Sequence, residues 1–410
     1  MSRPYDKARD FDNQCRIWKE VGWFIEGDRG KKAMSCYHEA SETLVEDVHG
    51  EMEVGASRCP AIFWHQGTPL SAVVVVGVYA GRVGRQQGHA LKLTAESVAQ
   101  AANEGACVAS LGIFDQGYYD RVGFGNGSYI RRMTIDPKSL QVEPLQRAPH
   151  RLGPDDYKEM HAARLQRRPA HGRVDVLPPG ITGIECLEAE GGFGLGFRDA
   201  DGVLTHHVWL ASYGKDEFGP YGVEWMVWNT RSQFMELMAA LRSLGDQVRG
   251  IRISDPPEVQ VQQLLSRPFR VSDRSRGSEF ESRNSSWAYQ QHRICDLPRC
   301  VEAFSLPGTP VQFNLRLDDP IEAVLPSDAP WTGCGGDWVI TLGEKSWAEP
   351  GHDKSLPIME TGVGTFTRLW LGVTAVSGLA ITDEIEAPAQ LIDRLDALVR
   401  LPRPLTDWDY

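Results

Sequence analysis

"S71-A-V-V-V-V-G-V-Y-A-G-R-V-G-R-Q-Q-G-H-A-L-K-L93" sets a polar, glycine-bearing loop directly behind a run of four valines. Ser71–Tyr79 is a continuous apolar, β-branched stretch, the mark of a strand buried on both faces. Beyond the loop, Leu91, Ala95, Val98 and Ala102 recur at helical spacing, and Asn103-Glu104-Gly105 supplies a stop. Cys107–Phe114 then reads as a second buried strand. Strand, loop, helix, strand is a βαβ unit, which joins a parallel pair and places the chain in a mixed α/β class.

The loop asks for a ligand. From Arg85 it reads R-x-x-G-x-A, opening a helix whose free N–H groups and dipole favour a phosphate or pyrophosphate. Gly88 lets the backbone approach that ligand, and Ala90 keeps the first turn open. No Gly-Lys-Ser/Thr follows, and the dinucleotide G-x-G-x-x-G is missing. By itself the loop reads equally as a connector carrying two solvated arginines.

The 410 residues exceed the size at which single cores stop growing, so two or three domains are expected. Apolar residues make up 41% and charged residues 24%, the balance of a globular protein. A net charge of −12 argues against a nucleic-acid partner and favours a cationic, amine-rich one. The eight cysteines lack metal or disulfide spacing, so no metal is expected. With no signal-peptide core and no bilayer-length apolar run, the expectation is a cytoplasmic protein without a membrane partner.

Segment 31–48 reads as a helix, and Glu51–Gly55 and Ala61–His65 as short strands. A proline-spotted stretch from Asp136 to Pro154 looks like a linker. Gly222–Trp228, Arg231–Leu244 and Gly250–Ser254 repeat the strand–helix–strand order, but the connection Asn229–Ser232 holds no phosphate loop. Arg270–Asn284 reads as a surface loop. Near residue 290 the texture changes again, giving three domains: 1–145, 146–289 and 290–410. Gly191–Gly196 fits a hairpin better than a nucleotide loop, and His206-His207 face opposite sides of a strand, a poor metal pair.

Past the second strand comes Tyr118-Tyr119-Asp120-Arg121-Val122-Gly123-Phe124. With the R-x-x-G-x-A loop, this resembles the acyl-CoA signature and the FYxxxGF segment of the GNAT superfamily of N-acetyltransferases. Gly222–Asn229, His292–Pro298 and the close from Glu386 to Tyr410 are similar to the Eis (enhanced intracellular survival) branch. The resemblance implies an α+β chain of two tandem GNAT-like domains, the second degenerate, followed by a sterol-carrier-like domain. It implies acetyl-CoA as co-substrate, an amine such as an aminoglycoside as acceptor, and a homohexamer. Family members often carry a proline soon after the cofactor strand, where this chain has Ala80-Gly81-Arg82.

On that resemblance, Val78, Tyr79 and Ala80 bind the pantetheine arm and the thioester oxygen. Arg85, Gln86, Gln87, Gly88, His89, Ala90 and Leu91 wrap the pyrophosphate, and Phe114 and Asp115 close on the acetyl group. Tyr119 matches the superfamily's general acid, a phenol that stays protonated at neutral pH. The carboxylate of Tyr410 matches the family's proton acceptor, with Asp407 and Asp409 beside it as substrate-binding acids or solvated tail charges. Acetylation of a protein lysine or N-terminus, and a non-catalytic ligand-binding role, stay open as alternatives.

Overall fold

A computed structural model describes residues 2–189, 191–213, 217–268 and 277–410. Its first sheet begins with β1 (Arg3–Pro4), β2 (Glu42–Val48), β3 (Glu51–His65), β4 (Thr68–Ala80) and β5 (Val108–Gly112), side by side in that order. Strands Gln290–Ile294 and Gly125–Asn126 complete the path, and Val174–Val176 pairs with β3. Helices α1 (Lys7–Val21), α2 (Gly27–Ala40) and α3 (His89–Asn103) pack on it. The βαβ unit is present as read: β4 and β5 are parallel and α3 connects them.

The expected helix over 31–48 ends at Ala40, and Glu42–Val48 is the strand β2 instead. Ser41 closes the helix, its hydroxyl donating to the Tyr37 carbonyl, and the β-branched Thr43, Val45 and Val48 suit the pleated surface beside β3. The two short strands expected within 51–65 are one 15-residue strand, continuous because β4 pairs with it from Val54 to His65.

The second sheet has seven strands, in the order Arg283–Trp287, Ile130–Ile135, Ile251–Ser254, Tyr221–Val227, Leu204–Ser212, Phe193–Arg198, His150–Leu152. Its parallel pair, Tyr221–Val227 with Ile251–Ser254, encloses helix Arg231–Ser243 in the second strand–helix–strand unit. Arg283 and Asn284, read as part of a loop, start an edge strand on Ile130–Ile135; residues 270–276 of that loop lie outside the described residues.

Sheet membership does not follow sequence order. Ile130–Ile135 leaves the first sheet's segment to sit inside the second, and Gln290–Ile294 returns to lie against β5. The two sheets exchange strands across residues 145 and 289.

The third sheet, ordered Trp347–Pro350, Gly336–Leu342, Val311–Asp318, Ile358–Gly362, Ile385–Glu386, is covered by helices including Val363–Trp370 and Ala389–Leu398. It shares one apolar core with the first sheet, joining Phe63, Val74 and Ile294 to Phe313, Phe366 and Trp370. His65 stacks on Trp370 at 4.2 Å within that core. A fully buried Arg293–Asp319 ion pair (2.7 Å) links the returning strand to the third unit. Such a pair holds geometry more than it adds stability, since removing either partner strands the other's charge.

Candidate functional site

β4 and β5 pair from Ala72↔Val108 to Val75↔Leu111 and no further, while β4 continues against β3 to Ala80. The break has a local cause. On β3, Arg58 faces Val75 and Ser57 faces Gly77, so Val76 is an extra residue, a β-bulge that turns β4 away from its neighbour. β5 is held on its other edge by Gln290–Ile294 and does not follow. Between Val76 and Ala80 the edge of β4 that faces β5 therefore has no strand partner among the described residues.

Val78, Tyr79 and Ala80 all lie on this parted end. The Tyr79 ring turns inward under α1, its hydroxyl accepting from Gln14 Nε2 at 3.1 Å, so only its backbone borders the cleft. Arg85, Gln86, Gln87 and Gly88 are exposed on the loop that follows. Gly88 caps α3 at φ +83°, a left-handed conformation that brings the backbone to the helix mouth. Arg85 Nε donates to the Ala80 carbonyl (3.3 Å), and Ala90 is half-buried above the buried Leu91. His89 leans instead toward Glu46, with 3.5 Å between Nδ1 and Oε2. Asp115 is exposed beyond β5, beside Phe114. Two large apolar side chains stand in water here: Phe114 (70% exposed) after β5 and Val83 (48%) after β4.

Tyr119 is buried at the start of a 3-10 turn, edge-on to Phe114 (5.8 Å) and Tyr118 (4.9 Å). Burial, then the neighbouring Tyr118 and Tyr289 phenols, pushes its own phenol well up from the ordinary value. Tyr289 escaped the sequence reading. Its ring crosses β5 at Gly112, where any side chain would collide with it at 2.7 Å. Burial pushes its phenol to about 12, with Asp409 and Glu188 adding to the rise.

The C-terminal segment is docked. Thr406 accepts from Val174 N–H (3.0 Å), Asp407 pairs with Arg167 (2.5 Å), and Trp408 lies under the Arg164 guanidinium at 3.7 Å. The Tyr410 hydroxyl donates to Ser110 Oγ at 2.9 Å, and Ser110 also hydrogen-bonds His292 Nδ1. Ser110 sits opposite Val74, two residues before the bulge. Of the two acids near the terminus, Asp407 is spent on Arg167 and Asp409 faces open space.

That space is a cavity of about 740 Å³ bordered by Val76, Tyr289 and Tyr410, so it adjoins the point where the strands part. Glu185, Glu188, Glu224 and Asp409 line it, and among its described lining residues there is no lysine or arginine. Glu185 is paired with Arg164, and Glu224 accepts from the Tyr213 hydroxyl at 2.7 Å. Glu188 and Asp409 touch solvent through the cavity, but the enclosing protein strips much of their hydration. Burial first, then the charges of Glu185 and Asp409, lifts Glu188 to about 7, and burial raises Asp409 too. A sequence scan has no means of joining these acids, which come from a helix, a strand and the terminus. Elsewhere, His206 bonds Glu236 and His207 accepts from Trp225, on opposite faces of one strand.

No family model and no curated protein matches the sequence. Solved structures do match in shape. One is a protein of unknown function from Enterococcus faecalis V583, described as a probable N-acyltransferase (TM-score 0.78, 15% identity, 100% of this chain and 99% of that one). Another is a GCN5-related N-acetyltransferase from Anabaena variabilis ATCC 29413 (TM-score 0.79, 13% identity, 100% of both chains). Eis1 from Mycobacterium abscessus is also similar (TM-score 0.74, 16% identity, 100% of both chains). At these identities the likeness establishes architecture: from end to end, this chain has the fold of those proteins.

Proposed function

We propose that the chain is an Eis-like N-acetyltransferase of the GNAT superfamily, moving the acetyl group of acetyl-CoA to a primary amine of a cationic small molecule, aminoglycoside-like or polyamine-like. The observation that carries this reading is the meeting, at Val76, of an unpaired strand edge with an acid-lined cavity. The cleft fits an acyl-CoA: unpaired backbone groups for the pantetheine amides, exposed Phe114 and Val83 for its apolar arm, and the α3 mouth for the pyrophosphate. Acetyl-CoA supplies the activated acyl group. The fold-alike proteins described as N-acetyltransferases support the same reaction class. On the same reading the third sheet is a sterol-carrier-like module and the working particle a homohexamer.

Roles follow from environment. The buried Tyr119 phenol holds its proton and gives it to the departing sulfur. In a chain ending at Tyr410, the α-carboxylate accepts a proton from the amine; supporting this, Tyr410 lines the cavity and its hydroxyl is anchored on Ser110. Tyr118 packs. Acid-lined walls concentrate ammonium groups next to that carboxylate.

The direct test is release of CoA thiol from acetyl-CoA in the presence of a panel of amines. Absence of release with every amine would end the proposal. The loop is tested in the same assay by two variants that tolerate a left-handed backbone. Gly88→Asn retains acetyl-CoA binding, whereas Gly88→Asp sets a negative charge against the pyrophosphate and loses at least about tenfold in affinity. Equal binding by both variants places the pyrophosphate elsewhere.

Acceptor binding carries a pH signature. Glu188 is mostly neutral below about pH 7 and charged above it, and an ammonium prefers the charged form. KM for a cationic amine therefore falls as pH rises from 6 to 8, and Glu188→Gln flattens that dependence. An unchanged slope in Glu188→Gln removes Glu188 from acceptor binding.

A further inference from the structure

A file of three polar side chains runs from the terminus into the core. The Tyr410 hydroxyl donates to Ser110 Oγ at 2.9 Å, and Ser110 in turn meets Nδ1 of His292. Ser110 and His292 are directly opposite on β5 and the returning strand Gln290–Ile294, so their side chains share one face of the sheet. A hydroxyl has one proton to give, and with Tyr410 donating to its oxygen, Ser110 gives that proton to His292. Nδ1 then accepts, and the imidazole carries its own proton on Nε2. Burial holds that ring neutral, pushing its pKa down to about 3. The ring is also fixed in place. Phe63 meets it edge-on at 5.5 Å, and a β-carbon on Gly127 would stand 3.1 Å from its Nε2. The same strand reaches the terminal segment a second time. Gln290, two residues before His292 and on the same face, brings Nε2 to 3.5 Å from the Trp408 carbonyl, the outer limit of a hydrogen bond. Between these two points of attachment stands Asp409, on the cavity wall.

A serine beside a histidine also suggests a nucleophile. Here Ser110 is fully buried and its oxygen is engaged on both sides, so no thioester carbon can reach it. Nor is stability a sufficient reason for the file, because apolar residues of similar shape would fill the same core at little cost. What three linked hydrogen bonds add is a single geometry. We infer that His292 is a positioning residue: through Ser110 it fixes the Tyr410 ring, and thereby the direction in which the terminal carboxylate meets the amine. The inference rests on the acetyl-transfer reading and adds a residue that touches neither substrate nor cofactor. Neither Ser110 nor His292 is among the residues lining the cavity.

The test is a double-mutant cycle on steady-state thiol release by the intact protein, with spermidine, 2-deoxystreptamine and phenethylamine as acceptors. His292→Leu is expected to lower kcat about fivefold, with KM for acetyl-CoA and amine within about twofold of the parent. His292→Asn, whose Oδ1 takes the place of Nδ1, restores most of the loss. In a Tyr410→Phe background, His292→Leu costs nothing further, because the hydroxyl through which it acts is gone. Ser110→Ala repeats the cycle with a one-atom deletion and carries it alone if His292→Leu does not fold. Losses that multiply in the double variants mark a merely structural role and overturn the inference. Parent-like rates in both His292→Leu and Ser110→Ala overturn it too, as does an Asn variant no better than Leu, and in each case acetyl transfer stands. No release by the parent protein with any of the three amines defeats the acetyl-transfer reading, and this inference with it.

Discussion

Tyr119→Phe lowers kcat by roughly two to four orders of magnitude, the usual worth of a positioned proton donor, and leaves acetyl-CoA affinity near that of the parent protein. The separation is expected because the ring's neighbours are Phe114, Tyr118 and Phe124, all contacts that phenylalanine keeps. Only the hydroxyl is lost. Its upward shift keeps it protonated through neutral and mildly alkaline pH, so Tyr119 imposes no fall in rate below about pH 10. Tyr118→Phe is the control, with an effect no larger than a few-fold. Tyr289 is the rival, because it lines the cavity. Steady-state rates of the three single variants decide: a large loss in Tyr289→Phe with none in Tyr119→Phe transfers the donor role to Tyr289.

Appending two glycines after Tyr410 abolishes most turnover while folding and acetyl-CoA binding persist. The extension turns the Tyr410 carboxylate into a neutral amide and carries the charge up to about 7 Å away. The docking contacts remain, since Asp407–Arg167, Trp408–Arg164 and Tyr410–Ser110 all involve groups upstream of the added residues. Activity and thermal unfolding of the extended protein, measured together, give the answer. Full activity would assign the proton acceptor elsewhere, with Glu188 the leading choice because its pKa of about 7 suits a base at neutral pH. Tyr410→Phe keeps the carboxylate but leaves Ser110 without its donor, a loss of about 1 kcal/mol in docking, so an intermediate effect of less than tenfold is expected.

The sequence was most legible where a single segment carries both its pattern and its partner. The valine run, the loop and the helix behind it make one local unit, and periodicity alone located all three. The stretch 42–48 misled because its short apolar spacing suits either a helix or a strand, and the deciding fact is β3 beside it. Gln290–Ile294 gave no strand signal: Gln-Gln-His-Arg-Ile is polar in composition, yet all five residues are buried between β5 and Gly125–Asn126. Distant residues bond several of its polar groups, Asp120 and Asn126 the Gln291 amide nitrogen and Asp319 the Arg293 guanidinium. The same limit hid the cavity. Asp407 and Asp409 are two residues apart, and only the positions of Arg167 and the open space separate an ion pair from a cavity wall.

The strand exchange has a consequence for how such a chain is made. While residues 1–289 are emerging from a ribosome, β5 has one edge bare, because the strand that covers it has not been synthesised. Ile130–Ile135 likewise waits for partners more than a hundred residues downstream, at Ile251–Ser254 and Arg283–Trp287. Bare edges invite pairing with other nascent chains, and contacts so distant along the sequence form slowly. An excised segment 1–145 inherits the same defect permanently. Each of the first two sheets is completed by a strand from the other's stretch of chain, so neither stretch can close its own sheet alone.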